Sequence, residues 1–192
     1  SEIRAPLGTT YGVSSYQMQF AAKDIYTPGD TPEVLVRFNP AALKVNLDVV
    51  NKGGLIIVNE DEFTDKNLKK AGFDGNPLDP SSDTLKDFRV HKIPITTLTL
   101  QALDEMDMGH GDKLRCKNFL ALGVVSWLFS RPLEPIEKFL NKKFGKKPQV
   151  LEANLKVLHA GFNICDTMEI FPVMYKVPPA KLEPGTYRNI NG

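Results

Sequence analysis

The sequence predicts an α/β domain, a three-layer Rossmann-like sandwich with a mainly parallel sheet and a helical C-terminal half. Three stretches carry that prediction. "EVLVRF" (33–38), "PAALKVNLDVV" (40–50) and "LIIVN" (55–59) read as strand, helix and strand with short connections. That is a βαβ unit, whose crossover is right-handed. "NFLALGVVSWLF" (118–129) is apolar nearly all round and too short for a bilayer, so it reads as a helix buried against the sheet. Beyond it, two stretches opened by Pro132 and Pro148 carry further helices.

In chain order, residues 16–20 alternate like a strand and "TPGD" (27–30) signals a turn. The β-branched run 33–38 suits a strand covered on both faces. Asn39 stands in cap position and Pro40 in the first turn of the helix that follows. Leu43, Leu47 and Val50 give that helix an apolar stripe at spacings of four and three, and Gly53-Gly54 ends it before the strand 55–59. Residues 64–71 suit a short helix, and "FDGNPLDPSSD" (73–83) is a turn-rich excursion. "RVHKIPI" (89–95) reads as a third strand, with a helix around 98–106. "LEPIEKFLNKKF" (133–144) is a helix closed by Gly145, and a helix from Pro148 through Leu158 closes near Gly161. The four prolines and missing periodicity of residues 171–192 read as a linker.

Composition narrows the function classes. At 192 residues the chain is one domain by length, with a net charge of +1. That balance gives no case for a nucleic-acid or membrane-surface protein, and no apolar run reaches the length of a membrane span. The first residues are polar, without the apolar core of a signal peptide. Cys116 and Cys165 form no CxxC, read as reduced thiols of a cytosolic protein, and cannot ligate an iron–sulfur cluster on their own.

Asn39, at the carboxyl end of a strand, sits where ligands collect in open α/β sheets, but helix capping alone also explains it. Asn118, heading the buried helix, has the same two readings. In "MDMGHGD" (106–112), His110 between Asp107 and Asp112 is a weak metal set against a plain loop. The lysines of "NKKFGKKP" (141–148) complement a helix dipole, or form a docking patch for an acidic carrier or for a ligand's phosphates. His91 and His159 read as structural. No spacing suggests a nucleophilic triad.

"RFNPAALKVNL", "KGGLIIVNED", "NFLALGVVSWLF" and "VLEANLKVLHAGF" carry a resemblance that runs in order over residues 1–165. They resemble the γ domain of the 2-oxoacid:ferredoxin oxidoreductases, in the version fused to the α subunit of the 2-oxoglutarate enzymes. The family's GxGGQG turn, with its strand and helix, has no counterpart here, so the resemblance implies a γ domain entered after its first βα unit. It likewise implies that 166–192 lead toward a following thiamine-binding domain. The activity implied is conversion of 2-oxoglutarate, coenzyme A and oxidised ferredoxin to succinyl-CoA, CO2 and reduced ferredoxin. Pyruvate, a branched-chain 2-oxoacid or indolepyruvate are alternative substrates, and a non-catalytic interaction module is an alternative of another class. No cofactor is expected in this chain. The complex is implied to use thiamine diphosphate, Mg2+, an iron–sulfur cluster and coenzyme A. The implied partners are the remaining α-subunit domains, a thiamine- and iron–sulfur-bearing β subunit, and ferredoxin. By the same resemblance, the loop of Glu2, Arg4, Gly8 and Thr9 faces the thiamine and coenzyme A region. Arg4 there either holds a carboxylate or phosphate or makes a surface ion pair beside a turn.

Overall fold

The computed structural model describes residues 2–4 (backbone only), 13, 15–26, 29, 31–172, 174–183 and 185–188. Its centre is a parallel sheet of β3 (Val34–Arg37), β4 (Leu55–Asn59) and β5 (Arg89–Ile93), in the order β3-β4-β5. Val34 pairs with Leu55 and Leu55 with Arg89, so all three strands point their carboxyl ends the same way. The connections are α1 (Pro40–Asn46) with a 3-10 turn behind it, and α2 (Asp65–Ala71), which Gly72 ends in the left-handed conformation. A separate two-stranded ribbon pairs β1 (Glu2–Arg4) antiparallel with β2 (Ser15–Gln17).

Every residue of β4 is buried. Because side chains alternate across a strand, β4 feeds two cores. Ile56 and Val58 join Leu35, Leu43 and Leu68 under α1 and α2. Leu55 and Ile57 join Ile93 and the helices of the C-terminal half on the other face. Those helices are α3 (Ile95–Ala102), α4 (His110–Arg115), α5 (Lys117–Leu128), α6 (Glu134–Phe144) and α7 (Pro148–Thr167). The result is helix, sheet, helix: the sandwich expected from the βαβ pattern and the all-round apolar helix.

α5 and α7 cross at two glycines. A Cβ on Gly123 would lie 2.2 Å from the carbonyl oxygen of Leu158, and one on Gly161 would lie 2.1 Å from that of Leu120. The two backbones therefore touch where most helix pairs are spaced by side chains.

Several element boundaries differ from the sequence reading. Gly161 does not close α7; it lies inside a helix that continues to Thr167, because the crossing with α5 needs its missing side chain. His110 opens a helix and not a loop, with Asp112 in its first turn paired to Arg115 at 2.8 Å. α3 starts at Ile95, three residues ahead of the expected position, since Asn59 at the end of β4 and Asp61 just beyond it hold amides of its first turn. Residues 2–4 form a strand where a loop was expected, and the alternation at 16–20 gives a strand only at 15–17. "TPGD" falls outside the described residues apart from Gly29. The Pro-rich stretch read as a linker begins inside the domain. Phe171 is buried against Trp127 and His91, and Tyr175 stacks on Phe129 while its amide donates to the Leu128 carbonyl at 2.7 Å.

Candidate functional site

The carboxyl ends of the three parallel strands converge on one rim, where open α/β sheets bind ligands. β3 leads into Phe38 and Asn39. The Asn39 side chain accepts a hydrogen bond from the Ala42 amide at 2.8 Å, so it caps α1 as its position before Pro40 suggests.

β4 leads into Asn59, which is fully buried. Its Nδ2 donates to Thr96 Oγ1 at 2.9 Å, and its Oδ1 accepts from the Thr96 amide at 3.3 Å. Two residues on, the carboxylate of Asp61 accepts from the Thr97 amide at 2.8 Å and from the Thr97 hydroxyl at 2.9 Å. Pro94 cannot cap α3 with its own side chain, so β4's exit supplies the missing acceptors from across the sheet.

Lys117, at the head of α5, closes the rim from the helical layer. Its Nζ lies 3.6 Å from Glu62 Oε1 and 5.9 Å from the centre of the Phe38 ring. Asn118 follows it, exposed. The structure thus brings the head of α5 to the same end of the sheet as the strand exit that carries Asn39. Asn59, Asp61, Thr96, Thr97 and Lys117 were not singled out from sequence. The available signal was the polar Asn59 ending an unbroken apolar strand, the same pattern that drew attention to Asn39.

The remaining sequence candidates lie elsewhere. Glu2 and Arg4 are backbone partners of Gln17 and Ser15, while Gly8 and Thr9 lie outside the described residues. His159 pairs with Glu137 of α6 at 2.8 Å, on the outer face of α7. His91 sits against Phe171, and burial pushes its pKa below 6.5. Among the described residues, no group of three or more His, Cys, Asp or Glu side chains can hold a metal ion. Cys116 and Cys165 are free and buried. Burial raises both thiols, that of Cys165 to about 12, the reverse of what a thiolate ligand needs. These groups do not fit an iron–sulfur cluster or the magnesium of a bound diphosphate. No helix among the described residues is long and apolar enough to cross a membrane.

A profile of the pyruvate ferredoxin/flavodoxin oxidoreductases matches residues 2–164. The chain belongs to that family. Within it, the chain is 50% identical over all 192 of its residues to 2-oxoglutarate oxidoreductase subunit KorA of Mycobacterium tuberculosis. It spans 29% of that relative's length, so it corresponds to one part of a longer subunit. The fold recurs in the 2-oxoglutarate:ferredoxin oxidoreductase of Magnetococcus marinus, solved with 2-oxoglutarate, coenzyme A and succinyl-CoA bound. That match has a TM-score of 0.57 and 24% identity, and covers 83% of this chain and 24% of the other.

Proposed function

We propose that this chain is the γ-domain part of a 2-oxoglutarate:ferredoxin oxidoreductase, which converts 2-oxoglutarate, coenzyme A and oxidised ferredoxin to succinyl-CoA, CO2 and reduced ferredoxin. The observation that carries the reading is the 50% identity to the KorA subunit, sustained over the whole chain. The thiamine diphosphate, magnesium and iron–sulfur chemistry then belongs to other domains and to a partner subunit that passes electrons to ferredoxin. Residues 1–165 are the γ domain, and 166–192 lead toward the next domain after the anchorage of Phe171 and Tyr175. The segment that carries Glu2, Arg4, Gly8 and Thr9 borders the coenzyme A region in this reading, with Asn39 and Asn118 on the ligand side of the sheet. The cytoplasmic setting read from two free cysteines is part of the same proposal.

The test is 2-oxoacid-dependent reduction of methyl viologen by the full-length subunit purified with its partner. 2-Oxoglutarate with coenzyme A is expected to support reduction, and pyruvate, 2-oxoisovalerate and indolepyruvate to support far less. Preference for one of the other three acids would overturn the substrate, and no reduction with any of the four would overturn the activity.

A further inference from the structure

β3 is an outer strand of the three-stranded sheet, and it ends on Arg37. Alternation places Arg37 on the face of Leu35, the face covered by α1 and α2, level with Val58 of β4. A guanidinium offers five N–H donors. One of them, on Nη1, reaches the Val36 carbonyl at 3.1 Å. Nε is buried and has no hydrogen-bond partner among the described residues. None of the ion pairs among the described residues includes Arg37. Partial burial lowers its pKa from 12.5 to about 10.

A buried donor left unpaired is costly in a fold, and here it sits on a cation with no ion pair among the described residues. The rest of this end of the sheet is not built that way. Asp61 spends both carboxylate oxygens on Thr97, and Glu62 is shared between Lys117 and Asn67. These two acids are therefore engaged, and Arg37 Nε is not.

We infer that Arg37 is the cationic anchor of an oxyanion subsite, where Nε and an adjacent Nη hold two oxygens of a ligand's carboxylate or phosphate group. The planar guanidinium matches either group at two points, which a lysine ammonium cannot do. The place suits a ligand, since parallel strands gather them at their carboxyl ends. Only the source of the anion rests on the function proposed above: 2-oxoglutarate would bring a carboxylate and coenzyme A a phosphate. The subsite itself stands on the unpartnered Nε of a guanidinium that makes no ion pair among the described residues.

The test uses the full-length protein and needs no activity, so it reads the subsite even if the proposed reaction is wrong. Thermal unfolding is followed in graded sodium phosphate and sodium succinate, against sodium chloride of matched ionic strength. The midpoint is expected to rise with the logarithm of phosphate or succinate concentration beyond the chloride control. A response to phosphate alone assigns a phosphoryl ligand, and one to succinate alone a carboxylate. Arg37→Gln is expected to weaken the apparent affinity on the order of tenfold or more, with Arg37→Lys between it and the parent. The inference fails if neither anion exceeds chloride in the parent protein, or if Arg37→Gln keeps the full response. It also fails if a structure of the intact subunit shows a protein carboxylate seated on the guanidinium.

Discussion

Replacing Gly161 by alanine tests the crossing that organises the helical layer. The new methyl would stand 2.1 Å from the carbonyl oxygen of Leu120 and 2.8 Å from its carbon. Carbon and oxygen rest against each other at roughly 3.3 Å or more, so α5 and α7 must part by about an ångström. The obstacle is backbone and cannot swing aside as a side chain would. Overpacking of this kind costs about 1–3 kcal/mol, and a rigid clash this deep belongs at the upper end. Against it stands the gain of about 1 kcal/mol when alanine replaces glycine inside a helix. The difference is a net loss of about 2 kcal/mol. For a chain of this size that lowers the thermal midpoint by roughly 4–8 °C. Gly123→Ala has the same sign, because its methyl would meet the Leu158 oxygen at 2.2 Å. Gly111 in α4 supplies the control, with nothing within 4 Å of its added Cβ. There the helical gain acts alone, and Gly111→Ala should stabilise by up to about 1 kcal/mol. Far-UV circular dichroism during heating reads all three variants. If Gly161→Ala melts at or above the parent temperature, the backbones do not meet as described and the reasoning is wrong.

Three other outcomes follow from the described residues. Asn59→Ala strands the Thr96 amide and hydroxyl at the start of α3 and should cost about 1–3 kcal/mol in urea unfolding; a loss below 0.5 kcal/mol, a rough threshold, would show that water replaces the side chain. His91 has a folded pKa held below 6.5 chiefly by burial, so the unfolded chain binds its proton first. Its contribution is therefore complete above pH 6.5 and is lost as pH falls toward the folded value, and His91→Phe should flatten the stability profile in that window. Cys165, with its thiol pushed up to about 12, should resist iodoacetamide at pH 8 in the native protein and react once urea unfolds it.

Much of the sheet was legible from sequence because its signals are local. An unbroken apolar run, a cap residue before a proline and a pair of glycines give β3, α1 and β4 in the right order and with nearly the right ends. What stayed illegible depends on meetings between distant segments. Gly161 carries a helix-ending signal in one dimension, and only the approach of Leu120, some forty residues earlier, turns it into a packing residue. The early start of α3 depends on Asn59 and Asp61, more than thirty residues before it. Phe171 sits among prolines that argue against any periodic element, yet one aromatic side chain is enough to seat a segment with no secondary structure. The candidate rim divides the same way. Asn39 was visible because capping is a local act, whereas the position of Lys117 over Phe38 joins residues far apart in the chain.

β4 also bears on how this sequence can drift over evolutionary time. Leu55, Ile56, Ile57, Val58 and Asn59 are all buried, so five successive positions offer no place to try a charge or a bulky polar group. Variation there is confined to exchanges of shape among branched aliphatics. Alternation makes each exchange one-sided. A smaller side chain at Ile56 opens space only toward Leu43 and Leu68, and one at Ile57 only toward the helices of the C-terminal half. Compensating changes should therefore arise in one helical layer or the other, but not in both, which makes the strand a partition between two independently evolving sets of core residues.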